Sequence, residues 1–243
     1  MIRVQDLHKR FGQVKAVNGV SFTAEDGAVT GLLGPNGAGK TTTLRMLYAL
    51  MRPDSGTIEV DGIDAVADPQ RAQTQLGVLP DMSGLYPRLT AREHIEYYGQ
   101  LHGLSGATLQ ARTQELLQTL DMGSIADRQT QGFSHGERTK VALARALVHN
   151  PRNVLLDEPT NGLDVMSTRA VRDIIRRLRA EGRCVLFSSH VMQEVSALCN
   201  SIIVIAHGRI VAAGTPDDLR RQTEQDNLED AFVALAGIDR EAV

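Results

Sequence analysis

The sequence has few of the residues that mark disulfide-rich, secreted or membrane-spanning chains. It contains no tryptophan and two cysteines in 243 residues. Cys184 and Cys199 lie in apolar segments without metal-ligand spacing, so we interpret them as reduced packing residues. No segment approaches the roughly 18 apolar residues of a membrane-spanning helix, and the amino terminus lacks a signal-peptide core. We therefore expect a chain that is soluble by itself and that needs a partner for any role at a membrane.

An excess of charge is also missing. The chain has 26 Lys and Arg residues against 29 Asp and Glu residues, a formal net charge of −3. Nucleic-acid-binding proteins usually show a basic excess or a basic face, so no nucleic-acid partner is expected, although these totals allow a local basic patch. The length allows one large domain or two small ones, with a sizeable core.

A glycine-rich segment is the strongest local signal. Gly34, Gly39, Lys40 and Thr41 have the spacing of a phosphate-binding loop. Glycines allow positive φ and close approach to a phosphate, and successive N–H groups at a helix start point at the anion. Lys40 would neutralise the β- and γ-phosphates, and the Thr41 hydroxyl is the expected Mg²⁺ ligand.

The context of this loop favours nucleotide binding over an ordinary glycine-rich turn. Residues 29–33 precede it as an apolar strand, and residues 42–51 follow it as a helix that Pro53 ends. A strand, a loop and a helix in this order are the setting that a phosphate-binding loop requires.

A second segment predicts the metal site and the catalytic base. Residues 153–158 read as a buried strand that ends in two carboxylates. Adjacent carboxylates are costly at a strand end unless a cation lies nearby, and a Mg²⁺–nucleotide would supply one. Asp157 would then organise the metal through water, and Glu158 would polarise an attacking water. The alternative is an acidic turn after a core strand.

His190 follows a third buried strand, residues 184–187. The carboxyl ends of the strands in an open α/β sheet share the edge at which ligands bind. A lone histidine would carry little weight, but this one emerges where strands 29–33 and 153–157 also present their chemistry.

The remaining segments predict a β layer and a helical block. Short strands at 2–4, 16–22 and 28–33 suggest an antiparallel layer before the phosphate-binding loop. Residues from about 90 to 150 form a helical block inserted between strands of the nucleotide-binding sheet. Phe11 is either an ordinary hydrophobe beside a turn or an aromatic that stacks on adenine.

Several helix starts are marked by a Ser or Thr with an acid three positions later, the capping-box pattern. The pairs are Thr90 with Glu93, Ser134 with Glu137, and Thr215 with Asp218. Residues 168–180 predict a helix whose arginines, Arg172 among them, form a solvated face.

With these segments in order, the chain resembles the ATP-binding subunit of ABC transporters over about residues 2–220. The signature pentapeptide at 133–137 distinguishes this family from other nucleoside triphosphatases, because a phosphate-binding loop alone occurs in many of them. The motifs that carry the resemblance are Gly34-Pro35-Asn36-Gly37-Ala38-Gly39-Lys40-Thr41-Thr42, Phe133-Ser134-His135-Gly136-Glu137, Leu155-Leu156-Asp157-Glu158-Pro159-Thr160, Asn161-Gly162-Leu163-Asp164, and His190.

The resemblance implies an α/β fold. Its P-loop nucleoside triphosphatase core has a mixed sheet with flanking helices, an N-terminal antiparallel β layer and an inserted α-helical subdomain at about residues 90–150. The ATP-binding domain then covers residues 1–220, and residues 221–243 form a short C-terminal helical tail. The implied activity is ATP hydrolysis coupled to transmembrane transport, with ATP and Mg²⁺ bound.

Within one subunit, the resemblance implies that Phe11 stacks on adenine and that residues 34–42 hold the phosphates. Asp157 would serve the metal, Glu158 would be the general base, and His190 would contact the γ-phosphate.

Between subunits, the resemblance implies that Ser134 and Gly136 clasp the γ-phosphate of ATP bound to the other subunit, while Asp164 crosses a dimer interface. Two cassettes would close face to face on two ATP molecules, and hydrolysis would reopen them. A single cassette implies a homodimer or pairing with a similar chain.

The chain departs from the family pattern in the signature and in one loop. His135 replaces the usual first glycine of the signature pair and Glu137 the usual glutamine. Because Ser134 and Gly136 remain, function should survive with an altered closing affinity. Asp81 stands where the family has a glutamine in the loop that links the catalytic core to the transmembrane partner, and an aspartate can still reach Mg²⁺ or water.

Residues 77–80, 84–93 and 140–151 resemble the branch that pairs with ABC-2-type exporter permeases, most closely the ATPase subunits of bacterial sodium exporters. This implies a separate permease, a peripheral position at the cytoplasmic face of the bacterial inner membrane, and Na⁺ as a candidate solute. Drug, polysaccharide and lipid exporters share much of the pattern. One alternative is a non-transport ABC protein that acts on ribosomes or nucleic acid, but such a protein would usually carry two cassettes or a long coiled-coil insertion, and this sequence shows neither. Another is a nucleotide switch that barely hydrolyses ATP, but such a protein often lacks a base such as Glu158.

Overall fold

The computed structural model describes residues 1–81 and 84–237, which form ten strands and nine α-helices. Residues 82 and 83, and residues 238–243 of the predicted tail, lie outside the described residues. The strands are β1 (Ile2–Phe11), β2 (Val14–Ala24), β3 (Val29–Leu33), β4 (Ser55–Val60), β5 (Ile63–Asp64), β6 (Leu76–Leu79), β7 (Asn153–Asp157), β8 (Cys184–Ser189), β9 (Ser201–Ala206) and β10 (Arg209–Gly214). The helices are α1 (Lys40–Leu47), α2 (Pro69–Thr74), α3 (Ala91–Leu101), α4 (Gly106–Thr119), α5 (His135–Leu147), α6 (Val165–Ala180), α7 (Met192–Leu198), α8 (Pro216–Thr223) and α9 (Leu228–Ala236).

A six-stranded mixed sheet brings the ends of three strands together. Its order is β10-β9-β3-β8-β7-β6, with parallel pairing from β9 to β6 and antiparallel pairing of β10 with β9. Every residue of β3, β7 and β8 is buried, which accounts for their nearly continuous apolar sequences. Because these strands are parallel neighbours, their carboxyl ends lie side by side and the loops that follow them converge.

The N-terminal residues form a separate antiparallel sheet in the order β2-β1-β4-β5, which confirms the predicted β layer. Its make-up differs from the prediction. β1 and β2 are longer than predicted, because register shifts let their pairing continue past the irregular positions after Val4 and Lys9. The predicted strand 28–33 belongs instead to the central sheet as β3, where it pairs with β8 and β9.

The predicted helical block is α3, α4 and α5. It lies in the chain between β6 and β7, which are neighbours in the central sheet. The capping boxes predicted at Thr90, Ser134 and Thr215 are all formed. In each case the cap side chain accepts from the backbone N–H three residues later, and the acid at that position accepts from the backbone N–H of the cap residue.

Two helix predictions need correction. α1 ends at Leu47, several residues before the predicted end, because the chain turns at Ala49 with a φ of 55°. On α6, Arg172 does not belong to a solvated face. Its Nη2 lies 3.3 Å from Oε1 of the buried Glu194, since α7 packs against that side of α6.

Apolar side chains are buried on both faces of the central sheet. Leu32 and Leu33 are consecutive in β3 but belong to different clusters, as the alternation of side chains along a strand requires. The Leu32 cluster joins the central sheet to the antiparallel sheet and α1, and the Leu33 cluster joins it to α3–α9. Within residues 1–81 and 84–237, no helix has the length and apolarity needed to cross a membrane.

Candidate functional site

The loop between β3 and α1 has a conformation that requires glycine at its last position. Gly39 is the N-cap of α1 with a φ of 107°. A β-carbon there would lie 2.3 Å from the Ala16 carbonyl oxygen of β2. No side chain caps α1, whose first residues line a cavity. Uncapped N–H groups at a helix N-terminus attract anions, so this loop is a candidate phosphate site.

Lys40 provides the positive charge of the loop. Its side chain is 6% exposed, and its ammonium donates hydrogen bonds to the carbonyl oxygens of Gly34 at 2.8 Å and Pro35 at 3.3 Å. Its Nζ also lies 3.5 Å from Glu158 Oε1. The loop and the lysine therefore form one unit that concentrates positive charge at the end of β3.

Asp157, the last residue of β7, has one oxygen with partners and one without. Its Oδ1 accepts hydrogen bonds from Ser188 Oγ at 2.6 Å and Thr41 Oγ1 at 3.3 Å. Its Oδ2 is buried without a hydrogen-bond partner among the described residues. The pKa of Asp157 is raised above its usual value, chiefly by burial. The two hydroxyls oppose this rise, and the charges of Asp81 and Glu158 add to it. A buried carboxylate oxygen that lacks a donor, beside a threonine hydroxyl, fits a hard divalent cation such as Mg²⁺.

Glu158 and His190 are in direct contact. His190 Nδ1 lies 2.9 Å from Glu158 Oε2. Glu158 has a φ of 49°, and its amide donates a hydrogen bond to Ser188 Oγ at 2.9 Å. Positive φ is uncommon for residues other than glycine, and such strained positions cluster at active sites. The carboxylate is 16% exposed, so water can reach a candidate base whose orientation the protein fixes.

A single cavity of about 520 Å³ collects most of the predicted site residues. Its wall includes the loop 35–42 together with Asp81, Asp157, Glu158 and His190. Its volume is typical of sites for small molecules and cofactors. The structure therefore brings the predicted phosphate loop, metal ligands, base and histidine to one place.

Asp81 and Phe11 lie at the margins of this arrangement. Asp81 is in the cavity wall, and its Oδ1 lies 3.6 Å from Arg45 Nη2. Phe11 is the last residue of β1, is 48% exposed and is not part of the cavity wall. The ammonium of Lys9 lies 5.9 Å from the centroid of its ring.

The structure keeps Ser134, Gly136 and Asp164 out of the cavity wall. Ser134 is the N-cap of α5 and accepts a hydrogen bond from the Glu137 amide, and Asp164 is the N-cap of α6. Gly136 is buried against α6, where a β-carbon would lie 2.4 Å from Ser167 Oγ. Ser167 Oγ in turn donates to Asp164 Oδ2 at 2.7 Å. The starts of α5 and α6 thus lie against each other.

His135 joins the start of α5 to the loop before α6. Its Nε2 donates to the Asn161 carbonyl oxygen at 2.9 Å, and its ring packs over Gly162. His135 and Asn161 are also in the wall of the cavity. The departure from the family glycine therefore has a structural consequence, because a glycine at 135 could not make this contact.

The sequence pattern assigns no role to Ser188 or Glu194, and the structure ties both to the site. Ser188 lies opposite Asp157 in the register of β7 and β8, which lets its hydroxyl reach the carboxylate. Glu194 contacts the loop that follows Glu158. Both residues lie close to His190 in the sequence, but the strand pairing that brings Ser188 to Asp157 and the helix packing that brings Glu194 to its partners are not visible there.

A glycine-rich loop between a buried parallel strand and a helix, with an acidic strand end beside it, defines a P-loop nucleoside triphosphatase. Within that class, this chain belongs to the ABC transporter family, whose family model, described as "ABC transporter", matches residues 17–161. The resemblance and the fold class predicted from the sequence are therefore confirmed. The protein is an ATP-binding subunit that hydrolyses ATP.

Individual relatives extend the match to almost the whole chain. The ABC transporter ATP-binding protein NatA of Bacillus subtilis is 44% identical over 96% of this chain and 97% of its own length. The Nod factor export ATP-binding protein I of Ralstonia nicotianae is 38% identical over 90% of this chain and 68% of its own. A solved structure described as an ATP-binding subunit of an ABC transporter has a TM-score of 0.89 and 30% identity, and covers 97% of this chain and 99% of its own.

Proposed function

We propose that this chain is the motor subunit of an ABC exporter, in which Mg²⁺–ATP bound at the end of β3 is hydrolysed to drive a separate permease. The observation that carries the proposal is the convergence of Lys40, the donor-free oxygen of Asp157 and the Glu158–His190 pair. Together they supply the cation, the metal ligand and the base that phosphoryl transfer needs. The similarity to the Nod factor export ATP-binding protein I of Ralstonia nicotianae supports export as the direction of transport.

In this proposal, residues 34–42 bind the phosphates through backbone N–H groups, and Lys40 neutralises the β- and γ-phosphates. Thr41 and Asp157 would hold Mg²⁺, and Asp81 would reach the ion or one of its waters. Mg²⁺, when bound, neutralises charge on the phosphate oxygens. The donor-free Asp157 Oδ2 supports this ligand set.

Glu158 is the proposed general base. It accepts a proton from the attacking water as the water oxygen bonds to the γ-phosphorus and the bond to the β–γ bridging oxygen breaks. His190 holds Glu158 Oε2 and contacts the γ-phosphate. Lys40 Nζ lies 3.5 Å from Glu158 Oε1, so an ion pair joins the proposed base to the phosphate loop. Phe11 is proposed to stack on the adenine.

The partner across the nucleotide is proposed to be a second copy of this chain or a similar one. Ser134 and Gly136 would clasp the γ-phosphate of the other subunit's ATP, and Asp164 would cross the interface. Their position outside the cavity of their own chain supports this role. Two apolar side chains next to Asp164, Val165 and Met166, are 69% and 71% exposed, as expected at an uncovered protein contact.

The membrane partner is proposed to be an ABC-2-type permease that holds the chain at the cytoplasmic face of the bacterial inner membrane. Tyr86, in the loop before the helical block, and Tyr97 of α3 offer it an aromatic surface, because they are 50% and 41% exposed and meet edge to face. Sodium is the proposed solute, supported by the branch resemblance of residues 77–80, 84–93 and 140–151. A drug, polysaccharide or lipid is the alternative.

The tagged chain, extracted from its native membranes in mild detergent, is expected to co-purify with a stoichiometric polytopic membrane protein. Vesicles that contain the complex should then take up Na⁺ when ATP is added on the side of this subunit. Recovery of the chain only with ribosomes, nucleic acid or no partner would contradict the exporter proposal. ATP-driven uptake of another solute without Na⁺ would reject sodium and leave the exporter intact.

His135→Ala is expected to keep ATP hydrolysis but to raise the ATP concentration for half-maximal activity by about 2- to 10-fold. The change removes the hydrogen bond to Asn161, and such a bond contributes about 0.5–1.5 kcal/mol. Loosening this loop should weaken closure of the dimer. Steady-state ATPase assays measure the shift, with His102→Ala at the end of α3 as the control. Unchanged half-saturation would show that the contact does not affect closure.

A further inference from the structure

A buried polar cluster, formed by Glu194, Thr160 and Arg172, connects the segments that carry Glu158 and His190. Glu194 lies in the first turn of α7 and is 4% exposed. Its Oε2 accepts a hydrogen bond from Thr160 Oγ1, and its Oε1 lies 3.3 Å from Arg172 Nη2 on α6. None of the three cluster residues is in the wall of the nucleotide cavity. Direct contact with ATP therefore does not account for a carboxylate at this place.

The positions of these residues in the chain suggest what the cluster does. Thr160 lies two residues after Glu158, and Glu194 lies four residues after His190. The hydrogen bond between Thr160 and Glu194 thus fastens the loop that leaves β7 to the helix that follows β8. These are the same two segments that the direct contact of Glu158 Oε2 with His190 Nδ1 joins.

The backbone of Glu158 requires such support. Its φ of 49° is sparsely populated for a residue with a side chain, and such conformations persist only where the surrounding structure enforces them. On one side, the amide of Glu158 is bonded to Ser188 Oγ. On the other side, Thr160 is 9% exposed and is held by Glu194.

We propose that Glu194 is a positioning residue for hydrolysis: acting through Thr160, it sets the place of Glu158 relative to His190. This inference rests on the proposed roles of Glu158 and His190. A carboxylate suits the task because it accepts from Thr160 and Arg172 at the same time, whereas a glutamine carries only one acceptor oxygen. Burial makes the loss of either partner costly.

Thr160→Val, which removes the hydroxyl donor with little change of shape, is expected to lower kcat for ATP hydrolysis about 10- to 100-fold, since misplacement by about 1 Å can cost a reaction about that much. KM for ATP should stay within about twofold, because the phosphate loop is untouched. Thr160→Ser keeps the donor and should restore most of kcat. Glu194→Gln, like Thr160→Val, should lower kcat and leave KM for ATP nearly unchanged.

Thr113→Val is the matched control. Thr113 lies on α4, is 1% exposed, and its hydroxyl has no hydrogen-bond partner among the described residues. The Thr113→Val variant makes the same chemical change at a buried site outside the nucleotide cavity, and its kcat should equal that of the unaltered protein. Equal losses in Thr160→Val and Thr160→Ser, or a raised KM with unchanged kcat, would overturn the inference.

A second measurement does not depend on turnover. The ¹⁵N chemical shifts of the His190 ring in the nucleotide-free protein, at fixed pH, should move in Thr160→Val and stay in place in Thr160→Ser and Thr113→Val. Unmoved shifts in Thr160→Val would overturn the positioning role. Absence of ATP hydrolysis in the unaltered protein would instead reject the proposed function, so the two failures are distinguishable.

Discussion

Glu158→Gln is expected to lower ATP turnover by about 10²- to 10⁴-fold, the usual contribution of a general base, while ATP still binds. The amide has the shape of the carboxylate and can remain in contact with His190 Nδ1, 2.9 Å away in the parent protein. It cannot accept a proton from water at neutral pH. In ATP and Mg²⁺ the variant should therefore accumulate as a closed dimer. Single-turnover hydrolysis and size-exclusion chromatography measure the two effects.

The control for this experiment is Glu25→Gln, in the exposed turn before β3 and outside the cavity wall. Its turnover and its oligomeric state should match those of the parent protein. A Glu158→Gln variant that hydrolyses ATP at the parental rate would remove Glu158 from the role of base. A variant that is inactive and saturated with ATP, yet monomeric, would count against the proposed dimer that closes on two ATP molecules.

Lys40→Ala is expected to weaken ATP binding by about 10- to 100-fold, because a hydrogen bond to a charged group contributes about 1.5–3 kcal/mol. The loss should be in binding and not only in turnover. Lys40 is also the link between the carbonyls of Gly34 and Pro35, so its removal loosens the loop that presents the backbone N–H groups. Equilibrium titration with a fluorescent ATP analogue measures the change in Kd.

Lys15→Ala, on the exposed face of β2, removes the same charge away from the cavity and should leave Kd unchanged. Circular dichroism would establish that both variants are folded. An unaltered Kd in Lys40→Ala would discredit the assignment of residues 34–42 as the phosphate loop.

The parts of the site that the sequence predicts are those whose chemistry lies within one short segment. The loop 34–42 and the acidic end of β7 each combine a hydrophobic strand with the polar residues that follow it, and both patterns can be recognised without knowing the sheet order. His190 needed one further step, the rule that parallel strands deliver their carboxyl ends to the same edge. The structure places all of them around one cavity.

Contacts between distant segments could not be predicted in this way. Arg172 has the spacing of an exposed helical residue, and only the packing of α7 on α6 brings it to Glu194. For the same reason the sequence places residues 28–33 both in the antiparallel layer and at the edge of the nucleotide-binding sheet. Only the pairing with β8 and β9, which begin more than 150 residues later, selects the second position. The roles of Phe11 and Asp81 stay predictions, because each depends on a bound nucleotide.

The position of β3 has a consequence for how the protein is made. Val29 pairs with Val185 of β8, and Thr30 pairs with Ser201 of β9. During synthesis the strand that precedes the predicted phosphate loop leaves the ribosome well before its neighbours on both sides, which follow it by about 150 residues or more. Non-local pairing of this kind is slow to form. A nascent chain stalled before residue 184 would therefore expose an unpaired central strand, and ATP could assist folding only after β8 and β9 have docked.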